Sequence, residues 1–385
     1  WQLPFRALSY CLEAAGITIG EVEHLACSFD GARRLRRAVP RLLVRGRRDW
    51  TKLLRELGIY VVSSRTLDLI LAAAPKDERV RSRLVCAPGR APKCHVVDHH
   101  LAHAASSFFA SSCSEAAILV VDGIGEWSCT SLFLGSGTKI RLVRTFVYPN
   151  SLGFFYEGIT RYLGFQSNRD EHKVTALAAY GRPRYYDNLR RVVALLDDGG
   201  YEVKIDFEQQ TLFAPSALSE VLGSPRVWDG EITERHADIA ASTQLVLEET
   251  ILHVLEDLRR QTGMRSLCLA GGVFLNCKLN ERIRTDAGFQ ELYIQPAAND
   301  AGAALGAALW VHHEILKMPR IPPMSKVDLG PEFSEEEMEQ ALVERGLMFR
   351  RSSNVARECA KLLTEGKTLG WFQGRMEWGP RALGS

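Results

Sequence analysis

His99, His100 and His103 fall within one short stretch, Val97-Asp-His-His-Leu-Ala-His-Ala104, and Asp122 follows after a brief apolar run. A spacing of four stacks the His99 and His103 imidazoles on one face of a helix, close enough to share an ion. Asp122 closes the run that starts at Ala116 and opens the loop Asp122-Gly-Ile-Gly-Glu126. Two imidazoles and a carboxylate near element ends suit a divalent first-row metal, and the ligand types admit zinc or manganese as well as iron. Histidines at this spacing also occur in helices that bind nothing, so the weight of the reading falls on the rest of the chain.

Leu267-Cys-Leu-Ala-Gly-Gly-Val-Phe-Leu-Asn276 reads as a strand, a double glycine and a helix start. At Gly271 and Gly272 a ligand could approach the bare backbone, and free amides at the helix start attract phosphate. A tight turn alone would look the same. Asn276, placed one turn into a helix predicted over 273–283, could reach a base or ribose or simply face solvent. Asp300 opens a helix predicted over 299–314. It is either a capping acid matched to the helix dipole or a fourth metal ligand. Ala301, Gly302, Ala303, Ala304 and Gly306 predict unusually close helix packing there. In Asn168-Arg-Asp-Glu-His-Lys173, Glu171 could accept from ribose hydroxyls and Lys173 could meet a phosphate, or both belong to a charged helix start.

These residues must be held by ordinary α/β elements. Strands are predicted at Val22–Ser28, Cys94–Asp98, 116–121, Ser128–Leu134, Ile140–Tyr148, Ser266–Ala270 and Glu291–Gln295. Helices are predicted at Ala7–Ala15, Asp49–Leu57, Thr66–Ala74, Ser151–Leu163, His172–Tyr180, Tyr185–Leu196 and Arg235–Arg260, with 200–232 irregular. Strand, tight turn and helix in succession predict a parallel sheet with covering helices. The proline-rich stretch Leu316–Ser325 reads as a linker. Helices at Ser334–Arg345 and Val355–Glu365 and a strand at Thr368–Phe372 would begin a second domain.

The chain of 385 residues is 46% hydrophobic and 24% charged, ordinary for a globular protein. Its apolar runs are far too short to span a membrane. Nine cysteines, scattered singly, do not suit a disulfide framework, so the expected compartment is reducing cytoplasm. The net charge of +2 hides a local excess: residues 33–48 hold eight arginines and no acid. That run is read as a solvated face, because no aromatic residues interleave it as a nucleic-acid stacking platform would require. Trp at position 1 and an organised stretch running up to Ser385 suggest a fragment.

Taken in order, six strings resemble the NodU/CmcH-type O-carbamoyltransferase family. They are Val97–Ala104, Val121–Glu126, Arg169–Lys173 with Ala178–Gly181, Leu269–Asn276, Ala298–Gly302 and Gly370–Gly384. The resemblance implies an α/β chain with a duplicated actin-like ATPase fold over 1–315, a linker at 316–325, and the start of a YrdC-like α/β domain over 326–385. The family's first strand pair and most of its YrdC-like part have no counterpart in this sequence. In that family, ATP and carbamoyl phosphate yield carbamoyl adenylate, and the carbamoyl group then passes to a hydroxyl of a small molecule or glycan beside a metal, commonly iron. Carried over by motif, His99, His103, Asp122 and Asp300 would hold the metal. Glu171, Lys173, Gly271, Gly272 and Asn276 would line the nucleotide. Arg375 and Arg381, in a segment whose composition suits phosphate or carboxylate, would belong to the YrdC-like part. Asp122 and His100 are the candidate bases for the acceptor hydroxyl. No membrane or nucleic-acid partner is expected, and the oligomeric state is not legible. Two rivals are threonylcarbamoyl transfer to tRNA and a nucleotide-binding regulatory protein without turnover.

Overall fold

The computed structural model describes residues 5–36, 82–84, 91–205, 216–382 and 384. It divides into two compact units, Trp1–Met324 and Ser325–Ser385. The helices expected at Asp49–Leu57 and Thr66–Ala74, and the arginine run beyond Arg36, lie outside the described residues.

In the first unit, helix α1 (Phe5–Ala15) precedes strand β1 (His24–Cys27), which pairs in parallel with β2 (Lys93–Val96). Two residues after β2 the chain enters α2 (His99–Phe108), the histidine helix. Asp98 caps it, its side chain accepting from Leu101 N, which satisfies one of the unpaired amides every helix start leaves.

β3 (Glu115–Val121) follows. Its unbroken apolar run from Ala116 is buried on both faces. Ala117, Leu119 and Val121 enter one core, while Ala116, Ile118 and Val120 enter another with Phe108, Phe109 and Leu309. The hairpin β4 (Ser128–Ser136) and β5 (Lys139–Val147) continues the sheet outward. Next come α3 (Leu152–Tyr162), α4 (Glu171–Leu177) and α5 (Tyr186–Arg190). The helix expected to run to Leu196 stops short. Val193–Leu195 (β6) instead pairs antiparallel with Tyr201–Val203 (β7), because the β-branched Val192-Val193 pair and the Gly199-Gly200 turn favour a hairpin. α6 (Ser216–Leu222) leads to the long α7 (Glu234–Thr262), which ends at Gly263 in the left-handed region.

β8 (Ser266–Ala270), α8 (Cys277–Asp286), β9 (Glu291–Ile294) and α9 (Asp300–Trp310) complete the layered part. The sheet order is β5-β4-β3-β8-β9. β3, β8 and β9 are parallel, as the strand–turn–helix rhythm predicts, and the β4–β5 hairpin makes the whole a mixed α/β sheet. Gly306 is where α9 meets α2. A Cβ there would lie 1.8 Å from the Ala102 carbonyl oxygen, so only glycine permits this approach. The stretch from Leu316 is held to the first unit. Arg320 donates to the carbonyls of Phe108 (2.7 Å) and Ser111 (3.0 Å), and Met324 N donates to Ala110 O at 2.9 Å.

The second unit contains α10 (Glu335–Glu344) and α11 (Val355–Thr364). Thr368–Phe372 does not form the expected strand: among the described residues nothing pairs with it, and a strand without a ladder leaves its amides unsatisfied. No helix among the described residues is long and apolar enough to cross a membrane.

Candidate metal and nucleotide site

Three elements of the first unit deliver the ligand candidates. α2 brings His99 and His103 one turn apart, the end of β3 brings Asp122, and the start of α9 brings Asp300. Their donor atoms all lie within 4.8 Å of one another. His99 Nε2 is 3.2 Å from His103 Nε2, 3.3 Å from Asp122 Oδ2 and 3.4 Å from Asp300 Oδ1. His103 Nε2 is 3.3 Å from Asp122 and 3.6 Å from Asp300. A cation about 2.0–2.2 Å from four tetrahedral donors would place them about 3.3–3.6 Å apart, so the donor set fits a divalent ion.

The surroundings point the donors inward. His99 Nδ1–H donates to the Ser28 carbonyl at 3.0 Å, which leaves Nε2 to face the cluster. Burial opposes charge on His99, but hydrogen bonds and attraction from Asp122 and Asp300 outweigh it and raise its pKa well above the imidazole norm. Burial likewise opposes ionisation of Asp122, yet His103 and His99 hold its carboxyl well below the usual range. Bonds from His103 and His99 lower Asp300 to about 2. The cluster attracts positive charge. His99 and His103 are buried, whereas the Asp300 side chain is 77% exposed and gives the site its opening.

His100 does not join this cluster. One residue on from His99, it turns to the sheet, with Nδ1 2.8 Å from Ser131 Oγ. Burial and its histidine neighbours lower its pKa to about 3, so it is neutral.

The double glycine splits into two roles. Gly271 has φ +102°, and a Cβ on it would lie 2.2 Å from Val121 O, so it lets β8 turn hard against the residue before Asp122. A Cβ on Gly272 would meet only Asp122 Oδ1, at 3.1 Å, leaving open space beside the carboxylate. The following residues form a short 3-10 turn, Gly272–Leu275, rather than the α-helix expected from 273. Asn276 is therefore the cap of α8 and not a residue one turn inside it: its Oδ1 accepts from Leu279 N at 3.0 Å, and its Nδ2 donates to Gln244 Oε1 at 2.8 Å. Gln244 also takes a bond from the Tyr156 hydroxyl (3.0 Å) and donates to Glu248 (2.7 Å). Burial raises the Tyr156 pKa, and Thr175 connects this group to the Glu171 backbone: its hydroxyl lies 2.9 Å from the Tyr156 hydroxyl and 3.2 Å from the Glu171 carbonyl oxygen. Glu171 accepts from Asn168 N at 2.6 Å, and Lys173 pairs with Asp170 at 3.0 Å. Tyr156, Gln244 and Glu248 were not singled out from sequence. Tyr156 lies on α3 while Gln244 and Glu248 lie one turn apart on α7, with no shared motif, and only the fold gathers them.

Arg375 and Arg381 belong to the second unit and are exposed. Arg375 donates to the carbonyls of Gly330 (3.0 Å) and Leu329 (3.2 Å), tying together two segments of its own unit.

The carbamoyltransferase N-terminus family model matches residues 8–309, and the carbamoyltransferase C-terminus model matches 360–385. An uncharacterized protein of Synechocystis sp. is 35% identical over all of this chain and 64% of its own length. Nodulation protein NolNO of Sinorhizobium fredii is 35% identical over all of this chain and 53% of its own. Nodulation protein NolO of Bradyrhizobium diazoefficiens is 39% identical over 75% of this chain and 52% of its own. The chain thus spans about half to two thirds of the length of these relatives. Among solved structures, full-length HypF in a phosphate- and nucleotide-bound form aligns with 59% of this chain and 36% of its own, at 16% identity and a TM-score of 0.37. With a family model covering most of the first unit, and the His99, Asp122, Gly271 and Asp300 strings inside it, this chain belongs to the carbamoyltransferase family.

Proposed function

We propose that the first unit carries the transfer site of an O-carbamoyltransferase that moves a carbamoyl group from carbamoyl phosphate, through carbamoyl adenylate, to a hydroxyl of a small molecule or glycan. The observation that carries this reading is the convergence of His99, His103, Asp122 and Asp300 beside the open backbone at Gly272. His99, His103, Asp122 and Asp300 would hold a divalent ion, for which iron is the family expectation and zinc and manganese fit the same donors. When bound, such an ion supplies Lewis acidity to a carbamoyl carbonyl. Gly272 leaves room for the adenylate, and Asn276 and Glu171 would offer the nucleotide polar groups to meet. Lys173 sits at the start of α4, where its charge can face phosphate. The proton of the acceptor hydroxyl would be taken by Asp122; His100, the other candidate base, is turned to the sheet with its pKa lowered, which makes it the weaker choice.

In this reading the first unit is a duplicated actin-like fold, and the second unit opens a YrdC-like domain in which Arg375 and Arg381 bind the anionic substrate. The protein would work in the cytoplasm. Transfer to tRNA is the weaker reading, since the first two arginines of the basic run are engaged: Arg33 pairs with Asp98, and Arg34 is bonded to Gly125 O.

The test, made on a protein that joins this chain to a complete YrdC-like part, is transfer of radiolabel from carbamoyl phosphate to a panel of sugar and aminoglycoside hydroxyls, with and without ATP. Label transfer that needs ATP and is lost in His103→Ala is expected. Transfer indifferent to His103→Ala would overturn the assignment.

A further inference from the structure

The loop that begins at the ligand candidate Asp122 ends at Glu126, a carboxylate only 2% exposed. Its Oε1 accepts the backbone N–H of Asp30 at 2.7 Å and that of His99 at 3.0 Å, and its Oε2 lies 3.2 Å from the same His99 nitrogen. Only three residues therefore separate one candidate ligand from a side chain bonded to the backbone of another. Asp98 serves Leu101 N at this helix start, so Glu126 satisfies a different amide, and its charge is favourable at the positive end of α2.

The surrounding contacts make the same join. A Cβ at Gly125 would lie 3.1 Å from both His99 Cβ and His100 Cδ2, so the loop packs closely on the helix and a side chain there would be tight. Arg34 donates to the Gly125 carbonyl at 3.2 Å. Ser28, two residues before the Asp30 amide that Glu126 holds, supplies the carbonyl that orients His99. Three segments distant in sequence meet on one carboxylate.

We infer that Glu126 is the positioning residue of the metal centre, bracing the loop that carries Asp122 against the helix that carries His99 and His103 and locking in the segment that orients His99. The inference rests on the metal reading above. Glu126 touches neither the ion nor the substrate in this role. It fixes the separation of ligands that must stay within a fraction of an ångström of their productive positions.

Cobalt(II) is the probe, added to the purified 385-residue chain and followed by its visible absorption. Glu126→Ala should keep its helical circular dichroism, bind cobalt about 10–100-fold more weakly and show an altered visible band, the usual scale for losing a supporting partner of a ligand. Glu126→Gln should recover much of the affinity, because one amide oxygen can still accept from both Asp30 N and His99 N. Amide hydrogen exchange on the metal-free chain is the second arm, with faster exchange expected at the Asp30 and His99 amides in Glu126→Ala. Wild-type cobalt affinity, spectrum and exchange in that variant would overturn the brace. If Glu126→Ala does not fold, Glu126→Asp, one methylene shorter, should show the same losses, and its wild-type behaviour would equally overturn the inference. If the unaltered chain takes up no cobalt, the metal reading fails while the exchange arm decides the brace by itself.

Discussion

His99 Nε2 and His103 Nε2 face each other 3.2 Å apart across a point that Asp122 and Asp300 also face. Two imidazole nitrogens can share only one proton, and a proton on either draws on carboxylates at 3.3–3.6 Å. The raised pKa of His99 and the depressed pKa of Asp122 express one demand, for a positive charge at that point, and a divalent ion meets it better than a single proton.

Removing one imidazole tests this directly. His103→Ala should lose most of the bound metal on elemental analysis of purified protein. The side chain is fully buried, so the cavity should also cost about 2–3 kcal/mol of stability. Full metal content in a folded His103→Ala protein would show that the four groups do not form one centre.

The two glycines after β8 should separate in their effects. Gly271→Ala forces a Cβ into the Val121 carbonyl at a positive φ, and a loss of about 3 kcal/mol in denaturant melts is expected. Gly272→Ala meets only the Asp122 carboxylate and should fold normally. Gly272→Val should fill the open space and weaken AMP binding by at least about tenfold in calorimetry. Unaltered AMP affinity in folded Gly272→Val would reduce the double glycine to a turn.

A titratable pair away from the site gives a pH prediction. Burial raises the Glu249 pKa, but bonds from Tyr186 and Arg190 more than offset this and leave it below the ordinary value. A depressed folded pKa contributes stability above the unfolded pKa of about 4.3, and that stability is lost as pH falls through the lower folded value. Glu249→Gln should therefore destabilise the chain by about 1 kcal/mol at pH 7, discounted because the side chain is about a third exposed. The difference from wild type should shrink as pH drops below about 4. A gap between the two denaturation midpoints that stays constant from pH 7 to pH 3 would refute this.

Much of the centre was legible because its ligands sit at element ends that the sequence marks. The i,i+4 histidines carry helix periodicity, Asp122 ends an apolar run, and Asp300 opens a small-residue helix. Local signals did not reveal what joins these elements. Glu126 is a glutamate after a glycine loop, and nothing in the string says that its partners lie at residues 30 and 99. Asn276 was misplaced by a turn because the double glycine continues into a 3-10 turn before α8 begins. At Thr368–Phe372, strand propensity found no partner strand among the described residues, and β propensity depends on such context.

The small-residue face of α9 makes the last prediction, linking packing to the site. Gly306 touches Ala102 on α2, and Asp300 lies six residues before it on the same helix. Any side chain at 306 must push α9 away from α2, since a Cβ 1.8 Å from a backbone oxygen cannot be relieved by a rotamer change. Because α2 holds His99 and His103, that displacement carries Asp300 out of reach of both imidazoles. Gly306→Ala should cost about 3 kcal/mol in denaturant melts and weaken metal binding at temperatures where the chain remains folded. Gly302→Ala offers the contrast: its Cβ would meet the Ala297 carbonyl oxygen at 2.1 Å, straining the turn before α9 rather than the α2 contact. If Gly306→Ala bound metal with wild-type affinity, Asp300 would not depend on this packing, and its place in the ligand set would have to be abandoned or assigned to a loop able to move independently.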